Sequence, residues 1–288
     1  MILSLLLLVP LTFGAAPPPI VGGEENDEDA VVLLVISNVN EDAAAVCSGA
    51  RVGETVVLTA AHCLLPGAGF TPASVKVVAA ASRSAATGGN TVPVTSWSLH
   101  PDYDEAAGTF DAALLFLESS SPGDTLPLFH EGPRDADLGE PVRLVGFGAV
   151  ADADDNPDST RRAADVPLYD FDSSTLYTYD PSGDMNACFG DSGGPMLRRD
   201  IDGDWAIAAV TGFVSTCEGG SAGGARSDAV LPWVQTLAGV EEADLPEVES
   251  DTGEEVTSPG DCECGGNGTQ GWLGVVWGLA LGRRVQKR

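Results

Sequence analysis

Apolar positions recur along the chain in short blocks. Runs rich in Val, Ile, Leu and Ala cover Ala30 to Ser37, Ala50 to Thr59, Val75 to Ala81 and Ala112 to Leu117, each set off by Gly, Pro, Asn or Asp. A second set follows at Pro141 to Gly148, Ala163 to Leu168, Met196 to Arg199 and Trp205 to Val214. Apolar runs of this length between turn residues predict the short strands of an all-β barrel protein. The acidic stretch Asp152 to Ser159, with Asn156-Pro157, reads as a surface loop, and Pro232 to Leu237 as a short terminal helix. Two sets of strands within roughly 220 residues can bury an ample core as one unit of two packed barrels.

The ends differ from this body. Ile2 to Phe13 is continuously apolar and leads into the small residues Gly14, Ala15 and Ala16, which predicts a signal peptide over 1–16, although no Lys or Arg precedes it. Beyond Gly239, acidic residues from Glu241 to Glu255 lie among Pro, Ser, Thr and Gly, so 241–261 is expected to be an extended, self-repelling linker. Cys262-Glu263-Cys264 then leads into the apolar run Trp272 to Leu281 and the basic end Arg283 to Arg288. That run is short for a spanning helix, and its basic flank is of the kind that stays cytoplasmic. The whole chain carries 14 Lys and Arg against 43 Asp and Glu, a net charge of −29, which argues against nucleic acid as a partner.

Three short strings carry chemistry. Thr59-Ala60-Ala61-His62-Cys63 supplies an imidazole, Phe110-Asp111-Ala112-Ala113-Leu114-Leu115 a carboxylate, and Cys188-Phe189-Gly190-Asp191-Ser192-Gly193-Gly194-Pro195 a hydroxyl. A serine hydroxyl is a poor nucleophile at neutral pH and needs an imidazole to take its proton as it attacks a carbonyl. The imidazole in turn needs a carboxylate to hold its tautomer and stabilise its cation. His62, Asp111 and Ser192 fit these roles, and Asp111 stands at the entry of an apolar run rather than on a solvated face. In this order, with Ile20-Val21-Gly22-Gly23 ahead of them, the strings resemble a trypsin-like serine protease of the chymotrypsin type from Ile20 to about Val240.

The resemblance implies two packed six-stranded antiparallel β-barrels with a short C-terminal helix over 20–240, and a serine endopeptidase acting on peptide or protein substrates. It implies an oxyanion hole formed by the amides of Gly190 and Ser192, and disulfides Cys47 to Cys63 and Cys188 to Cys217, which suit an oxidising compartment. No cofactor is expected and no metal, since the cysteines lack ligand pairs at close spacing within the domain. Residues 17–19 would be a short propeptide, whose removal by a processing peptidase lets the Ile20 amine pair with Asp191. Pro17-Pro18-Pro19 stands where relatives carry Arg or Lys, so self-cleavage by a basic-specific activity is not expected. The residue six before Ser192 lies at the pocket base; here it is Asn186, which reads against Arg or Lys selectivity, although Asp184 lies close by. Phe213, Val214 and the surroundings of Gly224 would wall the pocket. The tail resembles the tripartite sorting signals of myxobacteria and their relatives. Cys262 and Cys264 would then be read by a sorting protease, membrane contact would be confined to 262–288, and a monomer would reside at the outer surface of a bacterium. A catalytically inactive surface binding protein with the same fold is the alternative.

Overall fold

The computed structural model describes residues 20–40, 44–67, 70–150 and 159–246. The expected signal peptide, propeptide and sorting segment, with Cys262 and Cys264, lie outside these residues. After the short strand β1 (Glu24–Glu25), the first barrel is built from β2 (Val31–Asn38), β3 (Ala44–Gly53), β4 (Val56–Thr59), β5 (Pro72–Val78), β6 (Thr91–Leu99) and β7 (Ala113–Leu117). These strands pair antiparallel and close in the order β2-β3-β4-β7-β6-β5, which leaves no open sheet edge. Val31 to Leu34 are all fully buried. That continuous burial explains why β2 reads as an unbroken apolar run.

The second barrel comprises β9 (Pro141–Gly146), β10 (Arg162–Phe171), β11 (Thr175–Tyr179), β12 (Pro195–Arg199), β13 (Trp205–Val214) and β14 (Ser221–Arg226), preceded by β8 (Leu128–Phe129). Its ring runs β9-β10-β11-β14-β13-β12 and closes where Met196 and Leu197 pair with Leu144 and Arg143. The helix α1 (Ser227–Ala238) follows, with Val230, Leu231 and Val234 buried, and ends at Gly239 in the left-handed region. Trp233 of α1 meets His100 of the first barrel edge-on, ring centroids 5.0 Å apart. Two six-stranded antiparallel barrels and a short C-terminal helix are therefore the architecture, as the resemblance implies.

The run Ala50 to Thr59 is the hairpin expected between Cys47 and Cys63, with β3 ending at Gly53 and β4 beginning at Val56. Local pattern and structure part company at strands β6, β11 and β14 and at the domain's end. Strands β6, β11 and β14 were not evident from the pattern. The sequence of β14 is Ser-Ala-Gly-Gly-Ala-Arg, and it is held extended by pairing with β11 on one side and β13 on the other. Tertiary pairing here overrides a weak propensity. Finally, the folded unit runs past Val240: β15 (Glu242–Ala243) pairs in parallel with β8, Ala243 and Leu245 are buried, and Arg134 Nη2 donates to the Pro246 carbonyl at 2.8 Å. The first residues of the expected linker thus belong to the domain, because its two apolar side chains cover the second barrel.

Candidate active site

The pairing of β4 with β7 brings the imidazole and carboxylate together. Thr59 lies opposite Ala113 at the end of that antiparallel pair, so the chain leaving β4 and the chain entering β7 meet at one rim of the barrel. His62 opens a single 3₁₀ turn just past β4, and Asp111 precedes β7. His62 Nδ1 lies 2.7 Å from Asp111 Oδ2, and the His62 amide donates to Asp111 Oδ1 at 2.9 Å. A carboxylate partner requires Nδ1 to be the donor, which leaves Nε2 as acceptor. Phe110 carries φ = +52°, an uncommon conformation for a bulky residue, and stacks on His100 at 4.9 Å. The Tyr103 phenol is pushed up to about 12, first by burial and then by the negative charge of Asp111, so it stays neutral beside the pair.

Ser192 sits on the turn that leads into β12, pressed against the first barrel. Gly193 is at φ = +83°, and a Cβ there would lie 2.0 Å from Thr59 Oγ1 and 2.4 Å from the Ser48 carbonyl. Only glycine permits that approach. Gly190 is at φ = +99°. Its amide and that of Ser192 donate to no other group among the described residues, which suits their expected part as oxyanion donors. Ser192 Oγ likewise makes no hydrogen bond among the described residues. It shares with His62 the wall of one cavity of about 260 Å³. Such bonds are commonly long in unliganded sites and tighten with substrate. Both expected disulfides, Cys47–Cys63 and Cys188–Cys217, are formed.

Asp191 is fully buried, and its carboxylate oxygens accept from the amides of Gly148 and Cys188, each at 2.8 Å. Burial still pushes the carboxyl up to about 7. Among the described residues it has no ion pair with Ile20, which is in peptide linkage and fully buried in the second barrel. The neighbouring Val21 bridges to Asn186, whose amide donates to the Val21 carbonyl at 3.2 Å.

Of the expected pocket residues, Phe213 and Val214 line the cavity with His62, Cys188, Phe189, Ser192, Thr211 and Gly212. Asn186 and Gly224 do not. Asn186 is fully buried, with Nδ2 donating to the Thr216 carbonyl at 2.8 Å. Gly224 faces the Val210 carbonyl and Met196, and the position under the Phe213 ring is Gly223, one residue earlier. Neighbouring strand positions face opposite sides, so a one-residue difference moves a wall position into the core. Asp184 is exposed in a turn held by Asp180 and lies outside the cavity.

A family model described as Trypsin matches residues 20–234. The chain belongs to the trypsin family. It is 30% identical over 175 residues to a protein named Trypsin from Saccharopolyspora erythraea, covering 56% of this chain and 74% of that one. It is also 30% identical over 178 residues to Trypsin zeta from Drosophila erecta, and 27% identical over 168 residues to a Vitellin-degrading protease from Bombyx mori. The matches cover 54% and 53% of this chain and 61% and 62% of those relatives, respectively. Trypsin-family relatives support a serine endopeptidase activity. Ser48, fully buried beside the Ser192 turn, carries no motif of its own: its hydroxyl partners Phe147 and Gly190 lie 99 and 142 residues away in the chain. Only its place beside Cys47 hinted at it.

Proposed function

We propose that the chain is an exported serine endopeptidase in which Ser192 is the nucleophile, His62 the base and Asp111 the group that orients His62. The observation that carries this is the His62–Asp111 hydrogen bond of 2.7 Å on the rim of the cavity that Ser192 lines. His62 Nε2 takes the hydroxyl proton as Ser192 Oγ adds to the peptide carbonyl, and the Gly190 and Ser192 amides receive the oxyanion. The proton then passes from His62 to the leaving amine. Water, deprotonated in the same way, hydrolyses the acyl-enzyme and restores Ser192.

The cavity supports a preference for small uncharged residues before the scissile bond, with Phe213 and Val214 narrowing it and no Asp or Glu among the residues that line it. Release of the Ile20 amine by a processing peptidase would give the buried Asp191 carboxyl a cation. The two disulfides and the apolar N-terminal run suit export, and the Cys262-Cys264 tail suits surface sorting of a monomer by a sorting protease. The test is kinetic. Ser192→Ala and His62→Ala should each remove nearly all peptidase activity, and the double variant should lose little more, because the two act as a unit. Multiplying losses, or an active Ser192→Ala, would refute the assignment.

A further inference from the structure

Ser48, on β3, has all three of its polar atoms engaged and is fully buried. Its amide donates to the Ser192 carbonyl at 2.8 Å, and its carbonyl accepts from Thr59 Oγ1 at 2.8 Å. Its hydroxyl accepts from the Phe147 amide at 3.0 Å and lies 2.9 Å from the Gly190 carbonyl. A hydroxyl has one proton. With Phe147 N–H already donating to the oxygen, and a carbonyl unable to donate, that proton is committed to Gly190 O. Ser48 therefore binds the carbonyls of Gly190 and Ser192, the same two residues whose amides are the proposed oxyanion donors.

The peptide planes around Gly190 show what this does. In the Phe189–Gly190 peptide, the Phe189 carbonyl accepts from the Ala149 amide at 2.7 Å. A trans peptide carries its N–H on the side opposite its C=O, so this bond turns the Gly190 N–H away from residue 149. In the next peptide, the Asp191 amide donates to the Cys188 carbonyl at 3.1 Å, while the carbonyl of Gly190 is held by Ser48 Oγ. Glycine has the widest backbone freedom of any residue, and Gly190 sits at φ = +99°. Without a partner on its carbonyl, this peptide would be held from the Asp191 side alone, through the 3.1 Å amide bond and the bonds of the Asp191 carboxylate to Gly148 and Cys188. We propose that the Ser48 hydroxyl is a positioning residue of the oxyanion hole, fixing the Gly190 peptide so that the amides of Gly190 and Ser192 converge on the developing oxyanion.

The placement of Ser48 ties the hole to the base. Its neighbour Cys47 is bonded to Cys63, and Cys63 follows His62. One strand of the first barrel thus holds the donor turn through Ser48 and the imidazole turn through the disulfide. The clamp consists of neutral hydrogen bonds.

This inference rests on the endopeptidase reading, and Ser48→Ala tests it. The substrate is a peptide p-nitroanilide with alanine before the scissile bond, and the transition-state probe is the matching peptide aldehyde, whose hemiacetal oxygen occupies the hole. Losing the clamp should lower kcat about tenfold, less than the full effect of deleting an oxyanion donor. KM should stay within roughly twofold, and aldehyde affinity should fall about as much as kcat, because the hydroxyl serves the transition state and not ground-state binding. An unchanged kcat, or a change confined to KM, would overturn the assignment. So would a loss of activity that only follows loss of the folded state in a thermal melt, which would assign the hydroxyl to packing between the barrels. Parent protein that neither cleaves the peptide nor reacts with a fluorophosphonate would overturn this inference together with the endopeptidase reading. An active parent with an equally active Ser48→Ala would overturn this inference alone.

Discussion

Burial lifts the Asp191 carboxyl to about 7, from an ordinary value of 3.8, while two backbone amides pull the other way. Between those two values the folded chain holds a proton that the unfolded chain has released. Stability from this group is therefore complete below the lower value and is lost as pH rises toward the upper one. With Ile20 in peptide linkage, the melting temperature should fall from about pH 4 to about pH 7.5, and Asp191→Asn should flatten that part of the profile. A slope identical in the two proteins would show that Asp191 does not titrate in this range. Freeing the Ile20 amine should remove the slope too, if the cation reaches the carboxylate and lowers its pKa. At this scale the sequence was most informative where chemistry is written in contiguous residues. His62, Asp111 and Ser192 each lie in a short string of their own, whereas Ser48 acquires its part only through partners at Phe147 and Gly190.

One wall of the cavity is formed by Thr211 to Val214 of β13, backed by β14. A Cβ on Gly223 would meet the Phe213 ring at 2.2 Å, so the ring lies flush on β14, with Tyr177 edge-on at 6.1 Å. Phe213→Gly should open that wall and raise kcat/KM for peptides with Leu or Phe before the scissile bond, relative to Ala, by about tenfold or more. An unchanged ratio in a substrate profile would show that the ring does not bound the pocket. The strands that shape this wall were the least legible. β14 has no β-branched residue, and the register that sets Gly223 rather than Gly224 beneath Phe213 depends on a bulge between Thr211 and Phe213. By contrast, the start of β7 and the start of the His62 turn could be read from the apolar runs beside them. Their meeting follows from simple antiparallel pairing of β4 with β7.

Over the whole molecule, composition marked the change at the domain's end but not its position, because Ala243 and Leu245 are only two apolar residues in an acidic stretch. A chain ending at Val248 should be released into the medium fully active, since the proposed catalytic groups and β15 all precede that point. One ending at Gly239 should melt several degrees lower, because β15 no longer pairs with β8 and the cover from Ala243 and Leu245 is gone. Equal melting of the two would show that residues 240–246 add nothing to the fold. The proposed meeting of His62, Asp111 and Ser192 at one rim should make a nucleophile of Ser192. Exposure of the protein to a fluorophosphonate, with the adduct mapped by mass spectrometry, tests this. One phosphonyl group is expected, on Ser192, absent from both Ser192→Ala and His62→Ala. An unlabelled parent protein, or a label at another serine, would contradict it.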